Sequence, residues 1–357
     1  MPRRFRGGTS IALLVLLTAL IAACGGGGLK VPGGVTPSRG EGSPRSFLMG
    51  FSSLPHDTGE NAYIEAFRDA ALAGEVVFIQ RAPPWEDFVP GGTVSSRTER
   101  LTRLEKDLAK AYNLKVFLAL DPTEPSDRGR LAGLPDSLRG KDFADENVRA
   151  AFIAYAKYLA LNYKPAYLAL GVEVDMFFNR RGDEAFRTFQ SLYFQAYDAV
   201  KSVSPDTLVF PTFQFEDMIG LLSGTLPAWS LIDRFDPKID MVAVSSFPGF
   251  VLTNAADMPS DYYAPLQQHM LRPLAFVSTG WTSQVSENEQ ASFLSRALTS
   301  AESLEARVFV WYLSRDPSQG PDTSFGPLAQ MGLKDMNGQP KVAWSLWRRT
   351  FDRPVAQ

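Results

Sequence analysis

Two histidines and one cysteine are all that this 357-residue chain holds of the two side chains that most often ligate transition metals. A single cysteine, Cys24, excludes an intramolecular disulfide. His56 and His269 lie far apart, and His269 falls in a helical stretch ahead of a strand, so neither a histidine-rich metal site nor a Ser-His-Asp triad is expected. A formal net charge of −3 excludes a broadly basic surface, and no nucleic-acid partner is expected. No glycine-rich phosphate turn follows the first apolar run, which argues against dinucleotide binding; no cofactor is expected. Past the N-terminus, no apolar run is long enough to cross a bilayer.

What is present begins at the N-terminus. Arg3, Arg4 and Arg6 precede an apolar run over 11–20, and Ile21-Ala22-Ala23 lead into Cys24. This is the anatomy of a signal peptide over 1–23, too short to span comfortably. The small-residue ending before a cysteine resembles the bacterial lipobox, which implies cleavage before Cys24 and a lipid anchor there (palmitate among the acyl chains). Gly25 follows, without the aspartate associated with inner-membrane retention. In a Gram-negative host that points to the outer membrane of the cell envelope. Residues 24–45 are rich in Gly, Pro and Ser and read as a flexible tether.

From residue 46 to 357, short apolar runs alternate with amphipathic stretches. Strands are expected over 47–52, 76–80, 115–120, 166–172, 208–213, 241–245, 274–278 and 308–313. Near-continuous apolar runs suit parallel strands covered on both faces. Helices are expected over 61–74, 96–113, 145–163, 183–203, 286–303 and 341–351, several with cap signals such as Ser286 followed by Glu289. Eight strand-then-helix units predict one α/β domain, a single (β/α)8 TIM barrel over 46–357.

In such a barrel the site lies at the C-terminal strand ends. The roster there includes Gln80, Arg81 and Trp85, Asp121, Glu173 and Asp175, Gln214, Glu216 and Asp217, Ser246 and Phe247, Ser278 and Trp281, and Trp311. Glu173 stands out, because a carboxylate after a buried strand is costly unless paired or functional. Among aromatic rings its pKa would rise, as suits a general acid. The other reading is a structural carboxylate bonded to Arg81 or to backbone. If the strand continues, Asp175 points the same way, about 6.5–7 Å further on. Aromatic residues at strand ends suit stacking on sugars, or simply pack the barrel top.

Several segments taken in order resemble the retaining glycoside hydrolases of the large (β/α)8 clan with its acid/base on strand four and nucleophile on strand seven. "LGVEVD" is similar to the strand-four segment, and implies Glu173 as acid/base. "MVAVSSFPGF" resembles the sixth-strand segment of the endo-galactanase branch, "FVSTGWTSQVSENEQASFL" the seventh strand and its helix, and "GLKDMNGQPKVAWSLW" the closing segment. Arg81, Trp85, Asp175, Gln214, Ser246, Phe247, Trp281 and Trp311 are the candidate substrate contacts at these strand ends, and the resemblance implies Arg81 as the second-strand arginine that contacts the nucleophile and Trp311 as the eighth-strand tryptophan. Two positions depart from the pattern: Val172 replaces the asparagine before the acid/base, and Ser278 stands where the nucleophilic carboxylate belongs. Retaining hydrolysis needs two carboxylates about 5–5.5 Å apart, and a serine without a base is a poor substitute. Glu216 is the spare carboxylate. Three readings follow: a carbohydrate-binding or degenerate glycosidase barrel anchored to a membrane through Cys24; an active hydrolase using Glu173 with another carboxylate; or a non-catalytic envelope scaffold.

Overall fold

The computed structural model describes residues 42–222, 226–269, 272–318 and 328–356. The expected signal peptide, Cys24 and most of the tether lie outside the described residues. No helix among the described residues is long and apolar enough to cross a membrane.

The eight expected strands form. They are Leu48–Ser52, Val76–Arg81, Lys115–Leu120, Tyr167–Leu170, a fifth in two segments (Leu208–Phe210 and Thr212–Gln214), Val242–Ser246, Leu274–Thr279 and Val308–Trp311. Pairing within the barrel is parallel, and each strand pairs with its sequence neighbours, the first with the eighth. The two segments of the fifth strand stand at the two ends of the sheet order, so the sheet closes on itself through Pro211, which has no N–H to give the ladder. The fold is a (β/α)8 barrel.

Alternation decides what fills it. Phe78, Phe117 and Phe210 meet inside, with ring centroids 5.1 and 5.6 Å apart and planes near perpendicular. By register, Ala119, Ala169, Ala243 and Ala275 share that interior face and leave room for the rings. The opposite parity packs outward: Phe51 lies 4.7 Å from Trp347 of the closing helix, and Phe276 lies 5.7 Å from Phe309.

The helices follow their caps. Ser95, Asp145 and Ser286 each accept backbone N–H bonds at the start of Ser96–Ala111, Glu146–Tyr163 and Glu287–Ser303. One helix corrects the reading. The expected helix from 183 follows a break at Gly182 (φ 76, ψ −178), and an unexpected helical segment precedes it from Val174, directly after Glu173, so the two together run Val174–Lys201. A hairpin (Thr123–Glu124 with Asp127–Leu131) follows the third strand, and the sequence offered no alternating pattern to announce it.

Candidate functional site

Continuing each strand's inward parity to its C-terminal end gives a set of polar or aromatic residues: Ser52, Gln80, Asp121, Glu173, Thr212 with Gln214 above it, Ser245, Ser278 and Tyr312. Apolar layers fill the barrel below, and this ring crowns it where sites in this fold are built. Arg128 enters the ring from the hairpin after the third strand.

Glu173 is set by a strand-to-helix turn of three residues, Gly171, Val172 and Glu173. Gly171 has φ +104, where a Cβ would sit 2.6 Å from the Phe189 ring. Glu173 itself is left-handed, with φ 51 and ψ 52, an uncommon and costly conformation for a side chain with a Cβ. Two contacts hold it there. Its N–H donates to Thr212 Oγ1 at 3.0 Å, and its carbonyl accepts the first N–H groups of the helix. The strand therefore does not continue, and Asp175 does not point alongside Glu173 as expected.

Both carboxylate oxygens of Glu173 are engaged. Oε1 accepts from Ser245 Oγ at 2.7 Å, and Oε2 accepts from Arg128 Nε and Nη2 at 3.0 and 2.8 Å. Arg128 Nη1 donates to both oxygens of Asp121 at 2.8 Å, and Gln80 Nε2 donates to Asp121 Oδ2 at 2.8 Å. One guanidinium thus bridges two carboxylates, and Asp121, Arg128 and Glu173 are all at most 6 % exposed. Burial opposes the charge on Arg128, but Asp121 and then Glu173 outweigh it and hold the guanidinium above its ordinary range. Glu173 is an ion-paired carboxylate, not the lone acid among aromatic rings that the sequence suggested.

Strand seven carries a bulge. Phe276 pairs with Val244 but Ser278 pairs with Ser245, so one residue is extra. Phe276 faces outward, and simple alternation would send Ser278 outward with it. The bulge re-aims Ser278 to the inner face beside Ser245, the serine bonded to Glu173. The register therefore puts a hydroxyl at the inward place on strand seven. Tyr312 stands next along the ring, edge-on to Phe247 at 5.8 Å; burial, then the charges of Glu173 and Asp121, push its hydroxyl up.

Other expected site residues are placed elsewhere. Arg81 faces outward, opposite in parity to Gln80, and pairs with both oxygens of Glu105 at 2.6 and 2.5 Å. It reaches neither Glu173 nor strand seven. Ser246 follows Ser245 and faces the other side of the sheet, where it donates to Glu216 Oε1 at 2.6 Å. Glu216 lies past the end of strand five, in the turn Phe215–Met218, and its carboxylate bonds Ser246 and not the Arg128 pair that holds Glu173. It is fully buried and accepts from Ser246, Tyr262, Gln214 and the Phe247 N–H. Burial raises its pKa, with those bonds opposing. It ties strands five and six together.

Gln214 spends its amide on Glu216 and on the N–H of Asp217. Asp175 accepts from the Gln214 N–H at 2.9 Å, while its Oδ2 is buried without a partner. Burial, then Asp217, pushes its pKa well up. Trp311 faces outward against Phe293, and its indole donates to the Met331 carbonyl at 2.9 Å. Trp281 stacks on the same Phe293 at 5.3 Å. Trp85 is buried, with its indole donating to the Ala132 carbonyl at 2.7 Å. All three rings are held inside the fold by these contacts, and Trp85 also lines a crevice beside the second strand. Of the expected set, Glu173, Ser278 and Phe247 come together at the mouth. Arg128, Thr212 and Tyr312 were missed. Counting parity along strand eight would have found Tyr312, but nothing local marks Arg128. Among the described residues, no group of three or more His, Cys, Asp or Glu side chains is placed to hold a metal ion.

Solved structures share this barrel over most of its length. The fold is that of the glycoside-hydrolase barrels. An exo-beta-1,4-mannosidase from Opitutaceae bacterium strain TAV5 is similar at 17% identity with a TM-score of 0.66, over 85% of this chain. The chain spans 59% of that enzyme's length. A GH5_18 protein from Streptomyces cattleya, solved in complex with Manb1-4GlcNAc, matches at 18% identity and TM-score 0.63, over 87% of this chain and 80% of its own. The Ignisphaera aggregans GH53 catalytic domain matches at 15% identity and TM-score 0.58, over 89% and 99%. No family model and no curated protein sequence matches the chain. At these identities the likeness is one of fold.

Proposed function

We propose that this chain is a glycan-binding barrel of the cell envelope, built on a glycosidase-like frame, that does not hydrolyse by the two-carboxylate route. The observation that carries this reading is the state of Glu173. Its oxygens are taken up by Arg128 and Ser245, and strand seven offers Ser278 in place of a second carboxylate. A retaining enzyme holds its two carboxylates on either side of the sugar bond. Here Asp121 and Glu173 share one guanidinium, which fills the space between them.

The glycan part draws on the likeness to barrels such as the Streptomyces cattleya protein, whose structure holds a disaccharide. The anchoring part draws on Cys24 and its preceding small residues. Arg45, the last residue of the expected tether, donates its N–H to the Pro354 carbonyl at the base of the barrel, at the end opposite the polar ring. An anchor at Cys24 would therefore join the barrel on the side away from the strand ends.

The test is a glycan array with the purified chain, run beside a reducing-sugar assay on a polysaccharide panel. Binding without sugar release is expected. Release that disappears in Glu173→Gln overturns the non-hydrolysing reading, and Asp121 would then be the candidate second carboxylate. Neither binding nor release would leave an envelope scaffold as the function.

A further inference from the structure

We infer that the glycan lies off the barrel axis, in a crevice on the flank of the second and third strands, and that its binding portion is a short neutral saccharide. This rests on the glycan-binding reading above and adds the place and the ligand class. The mouth itself offers little room. Asp121, Arg128, Glu173, Ser245 and Ser278 are all at most 6 % exposed, and none of them lines the cavities of about 510, 360 and 350 Å³.

The crevice has a volume of about 510 Å³, within the range of about 300–1,000 Å³ usual for small-molecule sites. It opens between the loop after strand two and the turn at 133–135. Half-buried Pro84, Leu101 and Pro135 give it apolar walls, and Thr98 and Ser95 add hydroxyls from the start of Ser96–Ala111. Arg81 lines its floor, 9 % exposed. The guanidinium is rigidly held: Glu105 grips it twice, and Tyr63 and Tyr163 donate to the same carboxylate from behind. A polar group fixed by its own supporting shell, beside apolar walls, is how a site is pre-organised.

Charge decides the ligand class. Arg81 is already neutralised by Glu105, and Arg97 on the lining faces Glu86 and Asp87, so the crevice holds no surplus of positive charge to select an anion. A pyranose matches it, with a ring face for the apolar walls and hydroxyls for the polar floor. Gly133 lines this crevice and also a neighbouring cavity of about 350 Å³, so a longer chain can continue over that turn.

The experiment measures hydrogen exchange of the full chain with and without β-1,4-mannobiose, cellobiose and β-1,4-galactobiose, with glucuronic acid as a charged comparison. At least one neutral disaccharide is expected to protect 82–98 and 133–135. Calorimetry then compares Leu101→Trp and Thr98→Trp, which fill the crevice, with Glu173→Gln. The crevice variants should bind at least tenfold more weakly and Glu173→Gln within about twofold. Protection confined to 171–178 and 245–247, or binding lost only in Glu173→Gln, puts the glycan in the mouth and overturns this inference while the glycan-binding reading stands. Binding of glucuronic acid alone overturns the neutral class. No binding of any kind by the wild-type chain overturns both.

Discussion

Arg128 and Glu173 make the central contact of the barrel mouth, a guanidinium held at 2.8 and 3.0 Å from one carboxylate oxygen while its other end grips Asp121. The residues are 45 apart in sequence. Removing one partner of a buried ion pair strands the other charge without solvent, which typically costs about 3–5 kcal/mol. Arg128→Ala is therefore expected to lower unfolding stability by about that much, because it strands two carboxylates. Arg128→Lys should recover little of it, since a point charge cannot span both acids. Chemical denaturation is the measurement. A loss below about 1 kcal/mol would mean that the mouth is already open to water.

Ser278→Glu restores a carboxylate at the inward place on strand seven. The new acid would stand beside Ser245 and face an already paired Glu173. We expect lower stability and no reducing-sugar release, because Arg128 stays locked on Asp121 and Glu173. Sugar release from this variant would mean that the missing nucleophile was the only barrier.

Asp175 predicts a pH dependence. Its carboxyl is fully buried, with Oδ2 unpartnered, and its pKa is raised well above 3.8 by burial and then Asp217. A raised folded-state value means that the folded chain holds a proton which the unfolded chain releases. That contribution is present below the unfolded pKa and is lost as pH rises towards the folded one. Asp175→Asn should match or trail the wild-type chain near pH 4 and gain on it steadily towards pH 8. Denaturation midpoints across that range read the difference, and parallel curves for the two chains would refute the assignment.

Gly171 tests the turn that aims Glu173. A Cβ there would meet the Phe189 ring at 2.6 Å and Val174 Cγ1 at 2.9 Å, at φ +104. Gly171→Ala is expected to destabilise by about 1–3 kcal/mol from overpacking, with the φ strain added. A melting temperature unchanged from wild type would show that the turn yields easily.

Cys24 is tested apart from the barrel. Detergent phase partition of the chain expressed in a bacterial host should send it to the detergent phase, and Cys24→Ser to the aqueous phase. Equal partition of the two would remove the anchor from the proposal.

Much of the architecture is legible in the chain itself. Buried parallel strands need apolar residues on both faces, so runs such as Leu274–Thr279 announce themselves. The caps at Ser95, Asp145 and Ser286 are local chemistry, and they appear where the residue types put them. Strand order follows from eight alternating units, because short connections leave the closed parallel barrel as the economical solution.

The site is another matter, because it depends on which face each strand end presents. Arg81 and Gln80 are neighbours, and only the pairing register says that the glutamine looks inward. Trp311 and Tyr312 exchange roles for the same reason. At Ser278 even parity fails, because a bulge adds one residue to the strand and re-aims the side chain. Glu173 could be singled out from the chain by its place after a buried strand, but not its partner. Arg128 comes from a polar hairpin with no apolar pattern, and a contact between residues so far apart in the chain leaves no local trace. The sequence by itself determined the barrel, since burial of apolar runs is a local demand repeated eight times. The tertiary structure alone decided that the carboxylate at its mouth is held in an ion pair, since register, bulge and long-range pairing exist only once the strands meet.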